Sequence, residues 1–464
     1  MISDESQKIQ QEAFARHEEE HPELLERVKE PNEKTILPGI GIGALSEGRM
    51  KGYIRLYPHD YIVEEVTPKE EVITIDRALS SKTPLPKEGE NTIYCDLVKY
   101  GKGHFDALRD VAKSLGTDTK KIGHADMKEK NAITAQKIAL RHIPLETIEK
   151  STIPGVSIRN CVQGKGTIQQ GELKGNRFTI FVRTEGEVDE DWLYERLAEL
   201  QLDGYLNYFS LERFGGLRLI NHKLGVYILR GEFEKAVKEA LCYSSDYDTE
   251  LVRMKREEAR DEYPDFEKIE EIFSEFPVLF HMELELIAEL KKHPDDYKKA
   301  LLGVPHHVTK WGRAYSNYLF NAYLSGQKKQ GNAIPDCIPL LFSEKREDVV
   351  LYKPWLHQHK VEHFQKNLKA LPYVFRFKRT MQKTKIYPEV FGAVVVPGGV
   401  ILSFELPKGA SATTFLMNLF ELYEGEPVPS WVHTEKYDIK DSIGTGSVKE
   451  GIATIPKIED KNTA

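Results

Sequence analysis

Residues 124–136, HADMKEKNAITAQ, set two carboxylates, Asp126 and Glu129, around one lysine, Lys128, in a turn that runs on into a strand-like sequence. Carboxylates held near a cation are the residue types of general acid–base and nucleophilic chemistry. A second grouping, His359-Lys360-Val361-Glu362-His363, spells H-x-x-E-H. On one helix face that spacing would let two imidazoles bind Zn²⁺ with Glu362 as base, and His357 would add a further ligand. No third ligand stands at a suitable place. Two basic runs, 291–313 and 376–385, carry charge that could meet a polyanion, with Tyr297, Trp311 and Tyr315 in or just after the first. Each run reads equally well as a solvated helix face.

The elements that must hold the 124–136 turn are legible on either side of it. Phe105, Leu108, Val111, Ala112 and Leu115 follow helical spacing, and Gly116 is placed to end the helix. Residues 53–66 and 91–100 are rich in β-branched and aromatic residues and read as strands, as does 175–183; residues 189–200 read as a helix. Strand and helix alternate, which predicts an α+β sheet domain. Residues 7–30 predict a charged helical lead-in, followed by a flexible loop over the glycine-rich GIGIGAL, which lacks the flanking strand and acidic residue of a dinucleotide fingerprint. From 231 to 378 long charged helical stretches predominate. Residues 390–407 return to strand patterning, with Pro397-Gly398-Gly399 as a hairpin turn.

Length and composition bound the reading. The 464 residues exceed one ordinary core, so two or more domains are expected. Hydrophobic residues make up 40% and charged residues 30%, and no apolar run approaches the roughly 18 residues of a membrane span. The acidic, polar first residues do not read as a secretory signal, so a cytoplasmic location and no membrane partner are expected. The four cysteines lie far apart in sequence without a C-x-x-C pair and predict buried free thiols. Net charge is -8 and pI about 6.1, the wrong sign for a chain that coats nucleic acid with its whole surface. Any RNA binding must be local.

Several segments in order resemble the TruD-type tRNA pseudouridine synthase family. Residues 124–136 are similar to A-G-x-K-D-x-x-A-x-T-x-Q, and GYIRLYPHDYIVEE (52–65) to a basic residue followed by P-x-D-F-x-V-x-E. CDLVKYGKGHFDALRDVAKSLG resembles the strand and helix leading into the catalytic loop, and GELKGNRFTIFVR (171–183) is close to the family pattern. LNYFSLERFGG (206–216) resembles N-Y-F-G-x-Q-R-F-G, AYSNYLFN (314–321) resembles A-Y-Q-S-Y-L-F-N, and FELPKGASATTFL (404–416) resembles F-x-L-P-x-G-S-Y-A-T-x-x-L.

The resemblance implies a pseudouridine synthase catalytic domain, a mixed β-sheet flanked by helices, interrupted by a mainly helical TRUD-type insertion domain. The expected division is a charged helical extension over 1–50, the catalytic domain over 51–230 and 379–464, and the insertion over 231–378. It also implies isomerisation of uridine in tRNA, with no cofactor and no metal. Glu129 stands at the family's catalytic Asp and Asp126 at its glycine, so Glu129 is the first candidate for the working carboxylate and Asp126 the second; Asp126 also reads as a solvated turn aspartate. Arg55 and Lys128 would keep that carboxylate ionised, Tyr61 takes the aromatic position of the first motif, Asn207 would contact the base or the carboxylate, and Phe209 would stack on the flipped-out uracil. One extra methylene in Glu129 leaves an RNA-binding homologue without activity as the alternative, and a zinc hydrolase at His359, Glu362 and His363 as a remote one.

Overall fold

Strand-forming segments supply a ten-stranded mixed sheet. They are β1 (Met50–Tyr53), β2 (Tyr61–Val66), β3 (Thr92–Tyr100), β4 (Ile122–His124), β5 (Ile133–Arg141), β6 (Val156–Gly164), β7 (Gly175–Thr184), β8 (Glu389–Val396), β9 (Gly399–Pro407) and β10 (Phe420–Tyr423). This computed structural model describes residues 4–43, 45–76 and 91–456. The main path runs β8-β9-β7-β2-β5-β3-β6, with β1 against β7 and β10 and β4 against β5. Within this sheet, among the described residues, β2 with β5 and β1 with β10 are the parallel pairs. The fold is the expected α+β arrangement, a large mixed sheet flanked by helices.

By contacts the chain forms two units, one of residues 46–205 and 386–464 and the other of residues 1–45 and 206–385. The chain after 385 rejoins the sheet begun before 206, because β9 pairs with β7 from Gly399↔Arg183 to Pro407↔Gly175. β8 reaches β9 through the Pro397-Gly398 turn, where Gly398 has φ +80°, a conformation open to glycine without strain.

The helix His104–Ser114 turns Ala107, Leu108, Val111 and Ala112 onto the sheet, where they meet Ile93, Leu97, Ile138 and Leu140. Phe105, assigned to that apolar stripe by spacing, is instead 61% exposed. It sits in the helix's first turn beside His104, which takes the buried position. On another part of the sheet the helix Glu190–Asp203 is capped by Asp189, which accepts from Trp192 N, and buries Leu193, Leu197 and Leu200 in the core shared with β9.

In the helical unit the lead-in helix is shorter than its charge pattern predicts. It spans Asp4–Glu20 and stops before Pro22, which opens a short 3₁₀ turn. The long helix Pro305–Gln330 packs against Asn221–Arg230 so closely that a Cβ on Gly225 would lie 2.3 Å from the Trp311 carbonyl oxygen. The glycine-rich loop is packed rather than flexible: Ile40 and Ile42 are buried, and a Cβ on Gly41 would meet the Tyr318 carbonyl oxygen at 2.7 Å. Ala44 of that loop lies outside the described residues. Cys95 and Cys242 are buried free thiols, but Cys161 is half-buried and Cys337 exposed, and the sulfurs of Cys95 and Cys161 lie 2.7 Å apart across β3 and β6. No helix among the described residues is long and apolar enough to cross a membrane.

A buried ion pair fixes the start of β2. Arg183 on β7 is fully buried and donates to both oxygens of Asp60 at 2.9–3.2 Å, and its remaining amino group donates to the carbonyls of His433 and Glu435. Removing the acid would strand a guanidinium out of water. Asp60→Ala is therefore expected to cost about 3–5 kcal/mol in urea unfolding; a loss under about 1 kcal/mol would mean that the pair does not anchor this strand.

Candidate active site

The 124–136 turn belongs to the sheet unit and hangs between β4 and β5. Pairing of His124 with Ile138 closes its base. β2 and β5 run parallel with Ile62 opposite Ile133, so the residues just before each strand, Arg55 to Tyr61 on one and Glu129 to Ala132 on the other, emerge at the same end of the sheet. β3 ends there too, since Tyr100 lies opposite Ile133.

Lys128 pulls the turn back over the sheet. Its ammonium, with a side chain 1% exposed, lies 3.1 Å from Glu65 of β2, donates to Asn176 Oδ1 of β7 at 2.7 Å and lies 3.4 Å from Asp126. Asn176 Nδ2 donates in turn to Asp126 Oδ2, and Gln136 Nε2 to the Asp126 carbonyl, both at 3.4 Å. Burial pushes the Glu65 carboxyl up from the usual range although Lys128 opposes the shift. Lys128 is thus a buried structural cation rather than a surface one.

The two candidate carboxylates differ in how they are held. Asp126 Oδ1 accepts from Met127 N at 2.9 Å, and its other oxygen joins Lys128 and Asn176. Glu129 is half-buried, and among the described residues its side chain takes part in no hydrogen bond or ion pair. Its backbone, however, is pinned: the buried Lys99 ammonium donates to the Glu129 carbonyl and, at 2.8 Å, to that of Lys102. Burial lowers the Lys99 pKa to about 8, a fall that the Glu129 charge partly offsets. His104 accepts from Lys128 N at 3.5 Å; burial first, then neighbouring His124, pushes its pKa down to about 4, so it stays neutral.

Arg55 lies in the same unit but pairs with Glu424 at 2.7 Å, its guanidinium 4.3 Å above the Tyr61 ring. Its φ of +62° is unusual for a residue with a side chain and stores strain at this strand end. Tyr61 itself is 1% exposed and packs edge-on to Phe178 in the sheet core.

Asn207 and Phe209 belong to the other unit. Asn207 is buried, its side-chain amide donating to the Lys383 carbonyl and its backbone to that of Thr384, both at 2.9 Å. Phe209 is half-buried against Phe320, ring centroids 5.2 Å apart. Asn321 brackets it, accepting from Phe209 N at 2.8 Å and donating to its carbonyl at 2.9 Å. Sequence reasoning gave no role to Lys99, Glu65, Asn176 or Asn321, although all four fall inside the matched segments.

Two other sequence readings fail on geometry. The H-x-x-E-H residues do not share a helix: Lys353–Gln358 ends before His359, Lys360 has φ +54°, and His363 precedes the next short helix. His359 instead meets the Tyr315 hydroxyl at 2.9 Å, and Glu362 meets His357 at 2.6 Å. In the run 291–313 Trp311 is 2% exposed and neighbouring Tyr315 fully buried, so neither ring is free to stack on a base, and Lys291 is tied to Glu267 and Glu270.

Comparison with known proteins agrees with the motif order. The family model for tRNA pseudouridine synthase D (TruD) matches residues 39–340. A chain from Methanocaldococcus jannaschii named Probable tRNA pseudouridine synthase D 1 is 32% identical over 62% of this chain and 72% of its own length. One from Thermococcus sibiricus, Probable tRNA pseudouridine synthase D, is 32% identical over 62% of this chain and 64% of its own length. A Methanosarcina mazei crystal structure described as tRNA pseudouridine synthase D (TruD) covers 85% of this chain and 99% of its own at TM-score 0.61 and 22% identity, a likeness of fold. The chain belongs to the tRNA pseudouridine synthase D family.

Proposed function

We propose that this protein converts a uridine of tRNA to pseudouridine, with Glu129 as the working carboxylate. The observation that carries this is the contrast between the two acids of the turn. Asp126 spends both oxygens on Met127 N, Lys128 and Asn176, whereas Glu129 has a fixed backbone and an uncommitted carboxylate.

The reaction breaks the N1–C1′ bond, turns the uracil and joins C5 to C1′, with the C5 proton lost and N1 gaining one. A single carboxylate serves it either by adding to C1′ or by taking a proton from C2′, then by helping C5 lose its proton. Lys99 is a positioning residue that fixes where the Glu129 side chain starts. Phe209, its backbone bracketed by Asn321, offers an aromatic face for a base taken out of its stack, a step that costs a few kcal/mol and is repaid by stacking and edge contacts. Arg55, seated on the buried Tyr61 ring at the same end of the sheet as Glu129, carries a guanidinium whose charge suits a phosphate. Asn207 supports the Phe209 segment through Lys383 and Thr384.

The test is pseudouridine mapping on tRNA incubated with purified wild type, Glu129→Ala and Asp126→Ala. Product from wild type, none from Glu129→Ala and a rate within about tenfold for Asp126→Ala are expected. Glu129→Asp, which withdraws the carboxylate by roughly an ångström, is expected to lose about a hundredfold in rate. If wild type binds tRNA but yields no pseudouridine, the chain is an RNA-binding homologue without activity.

Lys99 generates a pH prediction. Its folded pKa, about 8, lies below the ordinary lysine value, so its ammonium is lost near pH 8 while the chain is still folded. For stability the sign is that protonation favours the unfolded chain, and this penalty is relieved as pH rises from about 8 toward the unperturbed value. For the reaction the sign is opposite. The rate is expected to fall as pH rises through about 8, and Lys99→Arg to move that limb upward; a limb left in place by the substitution would assign it to another group.

A further inference from the structure

The helix His281–Lys292 and the first turn of Pro305–Gln330 bring three histidines around one carboxylate. His307 Nε2 lies 2.7 Å and His306 Nε2 3.2 Å from the same Glu285 oxygen, Oε2. From the other side His281 Nε2 lies 3.7 Å from Oε1, one turn before Glu285 on the same helix face. One ligand atom from each of Glu285, His306 and His307 falls within 4.8 Å of the others. We propose that this cluster is a site for a divalent transition-metal ion of the zinc type, held by Glu285, His306 and His307.

The geometry supports this in three ways. Ligand atoms about 2.0–2.1 Å from a tetrahedral Zn²⁺ are separated from one another by about 3.3 Å, and the two imidazole nitrogens already stand 2.7 and 3.2 Å from Glu285 Oε2, just inside that value. Two imidazoles aimed at one carboxylate oxygen also crowd each other, their ring centroids 3.9 Å apart. That oxygen can accept from both rings, and the same placement lets both turn a nitrogen lone pair toward one shared metal ion. Lastly, imidazole nitrogen with a single carboxylate is a donor set suited to Zn²⁺, Ni²⁺ or Cu²⁺ and poor for Ca²⁺ or Mg²⁺.

The bound ion would staple the start of Pro305–Gln330, the helix that carries Asn321 and Phe320, to the helix His281–Lys292. It is a structural role, independent of the reaction, and so is its test. Tag-free full-length protein, stripped with chelator, is titrated with ZnCl₂ by calorimetry and loaded with Co²⁺ for visible spectroscopy. About one equivalent is expected to bind, with the intense visible bands of tetrahedral or five-coordinate Co²⁺ and a higher Tm with Zn²⁺ than with chelator. His306→Gln/His307→Gln and, separately, Glu285→Gln are expected to weaken binding at least tenfold while keeping the wild-type circular dichroism spectrum; the site is half-exposed, so these changes leave the core intact. His357→Gln/His363→Gln, at the surface turn elsewhere in the same unit, is expected to leave binding unchanged. Absence of binding to wild type, or binding undiminished in both cluster variants, would overturn the proposal.

Discussion

Everything near the candidate site depends on one buried cation. Lys128 has its ammonium out of water among Glu65, Asn176 and Asp126, and the desolvation it suffers is large enough that only several close partners can offset it. Two of those partners, Glu65 and Asn176, sit on β2 and β7, so satisfying the charge forces the 124–136 turn to fold back over the sheet instead of extending from its edge. Glu65, its carboxyl pushed up by burial, is the reciprocal of the same constraint: Lys128 is the foremost influence favouring its ionised form, ahead of the Lys137 amide.

A second arrangement recurs at two of the candidate residues, Glu129 and Phe209. A buried polar side chain binds the backbone of the candidate residue and leaves its side chain uncommitted. Lys99 does this for Glu129 through its carbonyl, and Asn321 for Phe209 through both its amide and its carbonyl. Backbone anchoring of this kind restricts where a side chain begins without occupying its polar atoms, and preorganised groups lose less freedom when a reacting molecule arrives. Arg55 is held differently, by Glu424 and the Tyr61 ring, at the cost of a left-handed backbone.

How much of this could be read from the sequence follows from the range of the interactions. The helix His104–Ser114 and strands β3 and β7 rest on local periodicity, and they stand close to where periodicity put them. Phe105 misled because the first turn of a helix need not obey the stripe that follows. The H-x-x-E-H spacing misled because spacing implies a helix only if the backbone permits one, and Lys360 adopts a left-handed conformation. The glycine-rich loop misled because its glycines serve close contact with the Pro305–Gln330 helix rather than mobility. The partners Glu65, Asn176 and Asn321 had no readable role because each acts on a residue dozens of positions away. Their contacts exist only once the sheet or the helical core has formed.

The departure from the family signature at position 126 also becomes intelligible. Asp126 does not adopt a positive φ, so a side chain fits at the family's glycine without strain. Its carboxylate enters the Lys128 and Asn176 cluster and adds a negative charge to it. Glu129 takes no part in that cluster; its charge acts instead on buried Lys99, whose fall in pKa it partly offsets. The two acids of the turn thus answer to different buried lysines, Asp126 to Lys128 and Glu129 to Lys99.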